Sequence, residues 1–113
     1  MAKQKNPPNL LDLKPVRLFE HRIEEELVTV LVPRYRSRWM AWLQRRLSRP
    51  HFKLHLDSVG SRVWLLCDGE RTIEEIGRLV RGRFGDDVEP LWERLGMFFR
   101  QMAKGRLVEL RGK

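Results

Sequence analysis

The chain has a single cysteine, Cys67, so it cannot form an intrachain disulfide. It has no apolar run long enough to cross a membrane and no signal-peptide pattern, and we therefore expect a cytoplasmic protein. A glycine-rich phosphate loop, paired catalytic carboxylates and a nucleophile motif are also missing. From these absences we predict that the chain is not an enzyme, has no catalytic residue and needs no cofactor.

Histidine is scarce as well, and His21, His51 and His55 are the only three. A zinc site needs three or four converging ligands, and one cysteine is available to complete a set. Cys67 is expected near a helix C-terminus, where the helix dipole disfavours a thiolate, so we interpret it as a small buried apolar residue. The sequence therefore predicts neither a metal site nor a thiol nucleophile.

Positive charge is abundant, since 23 Lys and Arg face 15 Asp and Glu and give a formal net charge of +8. This surplus attracts acidic peptides, nucleic acid or anionic lipid, and charge alone does not choose among them. With 113 residues, 42% of them apolar, the chain can bury one modest core. We expect a single domain over residues 16–113, preceded by a flexible N-terminal arm over residues 1–15.

The expected arm carries Pro7-Pro8 and the apolar residues Leu10, Leu11 and Leu13. Docking of these leucines onto a second copy of the chain would produce a homodimer, which we keep as an open alternative.

Residues 33–50 form a basic insertion with six arginines and no acidic residue. Trp39, Leu43 and Leu47 recur at helical spacing, which predicts a short amphipathic helix. Its apolar side either covers the core or meets an anionic membrane or an acidic protein. We favour the first reading, so a membrane is the less favoured partner.

Two strands are predicted on either side of this insertion. Leu27–Val32 is rich in β-branched residues and ends at Pro33, which cannot donate to a ladder. His51–Leu56 alternates strictly, with one set of side chains expected inward and the other outward. The inward set is Phe52, Leu54 and Leu56, and the outward set is His51, Lys53 and His55.

Helical patterns follow the second strand directly. The first helix carries apolar residues at Val59, Val63 and Leu66, and it is expected to stop before the turn at Asp68-Gly69. Thr72 and Glu75 have capping-box spacing and begin a second helix, which Gly85 closes. A third helix has a wide apolar surface and is followed by one closing strand near residues 106–110. The fold class expected is α+β: a winged helix-turn-helix with a small antiparallel sheet followed by three helices.

One string of residues in this region is distinctive. It reads Leu56-Asp57-x-x-Gly60-x-x-Val63-Trp64-x-x-Cys67-Asp68-Gly69-x-x-Thr72-Ile73-x-Glu75-Ile76, and it is followed by Phe84-Gly85, Phe98-Phe99 and Gly105-Arg106-Leu107-Val108. In this string the sequence resembles the PqqD-like family, named after pyrroloquinoline quinone (PQQ) biosynthesis protein D. The likeness covers roughly residues 27–110.

The resemblance implies a small peptide-binding protein. Such a protein binds the leader of a ribosomally synthesised precursor peptide as an added strand and presents it to a radical S-adenosylmethionine (SAM) enzyme. Mapped here, the peptide-binding residues would be one strand and one flank of the third helix: His51, Phe52, Lys53, Leu54, His55, Leu56, Leu91, Arg94, Leu95, Phe98 and Met102.

A DNA-binding winged-helix protein is the alternative, because it would share the fold class and use the positive charge. Its recognition helix would be the second helix, which offers Arg78, Arg81 and Arg83. The same helix carries Glu74 and Glu75, so its exposed face is of mixed charge. Nucleic acid is therefore the less favoured partner.

Overall fold

The computed structural model describes residues 9–33 and 51–112, and the side chains of Pro33, His51 and Phe52 lie outside this description. The predicted basic helix in residues 33–50 also falls outside it. In chain order, the strands and α-helices are β1 (Lys14–Arg17), β2 (His21–Glu24), β3 (Leu27–Pro33), β4 (His51–His55), α1 (Ser58–Leu65), α2 (Ile73–Phe84), α3 (Leu91–Lys104) and β5 (Val108–Arg111). Short 3-10 helices at Leu10–Asp12 and Gly85–Val88 complete the described elements.

The strands form two small antiparallel sheets. A three-stranded sheet has the order β2-β3-β4, and β1 pairs with β5 in a separate two-stranded sheet. A small antiparallel sheet followed by three helices is the α+β arrangement that the sequence predicts. The closing strand β5 pairs with β1 near the N-terminus, a partner that the local sequence pattern does not reveal.

Residues 9–15 are part of the folded body, which corrects the prediction of a flexible arm in the part of residues 1–15 that the structure describes. The Gly69 N–H donates to the Pro15 carbonyl oxygen at 2.9 Å, and the Ile73 N–H donates to that of Leu13 at 2.9 Å. The segment stays in place because its backbone groups find partners on both sides. Leu10 and Leu11 pack against the core of their own chain. A homodimer through this segment stays a prediction.

The junction between α1 and α2 has the turn and the helix caps that the sequence predicts. Asp57 caps α1, since its Oδ1 accepts from the Gly60 N–H at 2.7 Å, and α1 ends at Leu65. Gly69 adopts a φ of 81°, a left-handed conformation that favours glycine. The capping box is confirmed by two hydrogen bonds, from the Glu75 N–H to Thr72 Oγ1 at 3.1 Å and from the Thr72 N–H to Glu75 Oε1 at 2.8 Å.

The core lies between the three helices and the strands β3 and β5. Its largest fully buried side chains are Trp64 of α1 and Phe99 of α3, and Val28 and Val30 bring β3 into the same cluster. Gly77 lets α2 and α3 approach closely, because a Cβ at this position would lie 2.5 Å from the Trp92 ring. The wide apolar surface predicted for the third helix is thus used mainly for packing.

Ser61 joins β3, the end of β4 and α1 inside the protein. Its side-chain Oγ accepts from the Val28 N–H at 2.8 Å and donates to the Leu56 carbonyl oxygen at 3.3 Å. The hydroxyl therefore stands between two backbone groups that would otherwise bond directly across the ladder. Ser61 is 2% exposed, so water cannot replace it as a partner for Val28.

The N-terminal segment also caps the C-terminal end of α1. Arg17 Nη1 donates to the carbonyl oxygens of Trp64 at 3.2 Å and Leu65 at 2.8 Å. A cation at this end of a helix satisfies open carbonyl groups and is favoured by the helix dipole. Trp64 Nε1 in turn donates to His21 Nδ1 at 3.1 Å, which links α1 to β2.

We expect Ser61→Ala to lower the free energy of unfolding by about 1–3 kcal/mol, because the buried Val28 N–H would lose its partner. Urea denaturation of both proteins measures this difference. Ser58→Ala is the matched control, since Ser58 is exposed at the start of the same helix. An equal loss in the two variants would contradict the role given to the Ser61 hydroxyl.

A second prediction concerns pH. Burial, and then the charge of Arg17, lowers the pKa of His21 below its ordinary value of 6.5. The unfolded chain therefore takes up this proton first as the pH falls, so His21 leaves the stability unaffected above about pH 6.5 and lowers it in more acidic solution.

His21→Asn keeps a hydrogen-bond acceptor for Trp64 and removes the titrating group. We expect the free energy of unfolding to fall less between about pH 7 and pH 5 in this variant than in the parent protein. Denaturation curves at several pH values compare the two, and parallel profiles would refute the assignment to His21.

Candidate functional site

A groove lies between the end of β4, the first turns of α1 and one flank of α3. It has a volume of about 380 Å³. Most of its lining is apolar, and the lining residues are His55, Leu56, Asp57, Val59, Gly60, Val63, Val88, Leu91, Arg94, Leu95 and Phe98. The groove thus lies next to an edge of the three-stranded sheet.

The edge of β4 beside the groove has backbone groups that point away from β3. The Leu56 N–H donates to the Val28 carbonyl oxygen at 3.0 Å, and Leu54 lies opposite Val30. Because an antiparallel ladder alternates, even-numbered residues of β4 face β3, and Lys53 and His55 direct their N–H and C=O groups to the other side. Among the described residues, no strand occupies that side.

Gly60 forms part of the groove surface. A Cβ at this position would lie 3.1 Å from Asp57 Oδ1 and 3.7 Å from Phe98 Cε1, and both of these residues line the groove. A side chain here would therefore project between α1 and α3. Because glycine has no side chain, this space along the groove stays free.

Few charges surround the groove. Asp57 is engaged as the cap of α1, and Arg94 Nη1 donates to the Asp87 carbonyl oxygen at 3.2 Å. His55 Nδ1 lies 3.1 Å from Thr29 Oγ1, on the face of the sheet away from the core. Lys53 is exposed beside it on β4, opposite Leu31. The inner side is therefore mostly apolar, whereas the outer side of the edge carries basic side chains.

The structure brings together six of the eleven residues that the resemblance implies. His55, Leu56, Leu91, Arg94, Leu95 and Phe98 all line the groove. Leu91 and Leu95 are only 2% and 4% exposed, so they serve the core as well. Phe98 is half-buried and its ring meets the Phe99 ring edge-on, with 5.3 Å between the centroids.

The remaining five residues lie elsewhere. Lys53 and Leu54 are exposed on β4, and Leu54 lies on the core side of the sheet because it pairs with Val30. Met102 is buried and is not part of the groove lining. The side chains of His51 and Phe52 lie outside the described part of the chain.

The sequence-based prediction of the peptide-binding site did not include any residue of α1. Asp57, Val59, Gly60 and Val63 line the groove because β4 passes into α1 with only two residues between them. A glycine within the first turn of a predicted helix was the signal available in the sequence, since it marks a place where a side chain is left out.

The described residues give little support for a reactive thiol, a metal site or a membrane-spanning helix. Cys67 is fully buried, its Sγ donates to the Val63 carbonyl oxygen at 3.2 Å, and burial raises the pKa of its thiol to about 12. Within residues 9–33 and 51–112, no three His, Cys, Asp or Glu side chains are grouped as a metal site requires. Over the same ranges, no helix has the length and apolarity needed to span a bilayer.

Comparison with known proteins gives one result. The family model described as coenzyme PQQ synthesis protein D (PqqD) matches residues 52–108, half of the chain. No curated protein and no solved structure matches the chain significantly. The matched residues run from β4 through all three helices to the first residue of β5, and they include every residue that lines the groove. The chain therefore belongs to the PqqD family, the family of the coenzyme PQQ synthesis protein D.

Proposed function

We propose that this protein is a noncatalytic adaptor that binds the leader of a ribosomally synthesised precursor peptide and presents it to a radical SAM maturase. The leader adds to β4 as a further strand and lies along the groove beside α3. The observation that carries the proposal is the edge of β4, which pairs with no strand in the described part of the chain and lies next to an apolar groove. Membership of a family named for PQQ synthesis supports a role beside a biosynthetic enzyme.

The two parts of the site would contribute differently to binding. Backbone groups of Lys53 and His55 would hold any extended segment, since main-chain hydrogen bonds do not depend on the guest sequence. The groove would select among segments through the side chains that it buries. No step of this role requires a catalytic group, which agrees with the apolar character of the lining.

The DNA-binding alternative gains less support from the contacts of α2. Arg78 Nη2 lies 2.7 Å from Glu74 Oε2, and Arg81 Nε lies 2.9 Å from Glu89 Oε2. Arg81 also stacks over the Trp92 ring, 5.6 Å from its centroid. These arginines are already engaged with acidic and aromatic partners, whereas a recognition helix presents free donors to phosphates and base edges.

Strand addition predicts an alternating sensitivity to backbone methylation of the guest. N-methylation removes one N–H donor, and only every second residue of an added strand points its N–H at β4. Leader peptides methylated at successive positions, starting with the leader of a PQQ precursor peptide, are titrated against isotope-labelled protein.

We expect chemical shift changes at Lys53, His55 and α3 that are lost for one alternate set of methylated peptides and kept for the other. The set that loses binding also identifies the guest residues whose backbone N–H groups face β4. Equal tolerance of both sets, or no shifts with any leader, would remove strand addition as the mode of binding.

Filling the groove gives an independent prediction. Gly60→Leu places a side chain between α1 and α3, and we expect it to weaken leader binding by about tenfold or more, about 1.4 kcal/mol. Gly82→Leu is the matched control, because a Cβ at Gly82 meets nothing within 4 Å.

Gly60→Ala serves as the milder variant, with an intermediate loss of binding expected. Denaturation curves establish that each variant is folded before its affinity is measured by calorimetry. If Gly60→Leu is folded and binds as well as Gly82→Leu, the guest does not lie in this groove.

A further inference from the structure

We propose that the site reads a particular pattern in its guest: apolar residues at every second position, and an acidic residue between two of them, opposite Lys53. This inference rests on the proposed function and specifies the class of peptide that the same site takes. It follows from the two faces of β4, which differ in what they offer to a neighbouring strand.

Side chains directly opposite each other in a sheet share a face, so β4 fixes the faces of a guest strand. Leu54 pairs with Val30, a fully buried residue on the core side. Lys53 pairs with Leu31 and His55 with Thr29 on the opposite side. Guest residues opposite Leu54 and Leu56 would therefore point toward α3, and those opposite Lys53 and His55 would point away from it.

The face toward α3 suits apolar side chains. Leu56, Val59, Val63, Leu91, Leu95 and Phe98 supply most of its surface. A guest carboxylate placed there would lose water, and it would also lie in the same groove as the Asp57 carboxylate. Arg94 lines the groove too, but one of its nitrogens already donates to the Asp87 carbonyl oxygen.

The opposite face favours an acidic side chain at one position. Lys53 is exposed there, and among the described residues it takes part in no ion pair. A guest carboxylate opposite Lys53 would form a cross-strand pair of opposite charge. The position opposite His55 is less suitable for an acid, because Glu24 and Glu25 line the same surface cavity as His55. The selectivity for acid is therefore assigned to Lys53.

Three synthetic peptides of about six residues, the usual length of a strand, test the pattern. The first alternates leucine with polar residues and has one glutamate between two leucines. The second has the same composition, but the glutamate is exchanged with a neighbouring leucine, so that one of the two must occupy the wrong face. The third carries lysine in place of the glutamate of the first. All three have capped ends, and each is titrated against the full chain.

We expect the first peptide to bind about tenfold more tightly than the second, because the second must place a carboxylate in the groove or leave a leucine outside it. Lys53→Glu should weaken binding of the glutamate peptide and strengthen binding of the lysine peptide, each by about three- to tenfold, the range expected when an exposed attraction becomes a repulsion. Lys104→Glu makes the same change of charge at an exposed position at the end of α3 and should alter neither preference.

The outcomes separate this inference from the proposed function. If the first and second peptides bind equally and shift the signals of the groove, the pattern is wrong and strand addition stands. If Lys53→Glu leaves the preference for glutamate unchanged, Lys53 does not select the acid. If the precursor leader binds and the first peptide does not, the pattern is again refuted. If neither produces shifts at β4 and α3, the proposed function itself fails.

Discussion

The short connection from β4 into α1 is the constraint on which the site depends. Leu56 still pairs with β3, and the next residue, Asp57, caps α1. The Ser61 hydroxyl then forms hydrogen bonds with the backbone of Val28 in β3 and of Leu56 after β4. Because these contacts occur within six residues, the first turn of α1 has to lie at the end of the sheet. That placement forms one wall of the groove and leaves the edge of β4 beside it.

The rest of the chain positions α3 as the opposite wall. The N-terminal segment supports this arrangement, since Arg17 closes the carbonyl end of α1 and the backbone of Leu13 and Pro15 holds the turn before α2. Gly77 then allows α3 to pack closely on α2. Leu13, Pro15, Arg17 and Gly77 are not part of the groove lining, although Gly77 lies against Leu95, which is. The family match begins at residue 52, so the strands β1, β2 and β3 all lie outside the matched region and support it.

Charge is distributed in a way that fits a peptide guest better than a nucleic acid. The chain has a formal charge of +8, but the described arginines of α2 at positions 78 and 81 are paired with glutamates. Lys53 stands beside an open strand edge without such a partner among the described residues. A strand edge with a nearby cation can combine backbone hydrogen bonds with a preference for acidic side chains. Edge strands are often protected from association by charge, and in the mode of binding that we propose the same charge would give the edge its selectivity.

The sequence by itself determined the features that depend on neighbours along the chain. The capping box at Thr72, the turn at Gly69 and the alternation of β4 were predictable because each depends on residues within about four positions. Only the tertiary structure decided the pairing of β1 with β5, the insertion of Ser61 into the ladder, the burial of Met102 away from the groove and the place of Gly60 within it. These features join residues far apart in the chain, and a periodic pattern states which face of an element is apolar without stating which element will cover it.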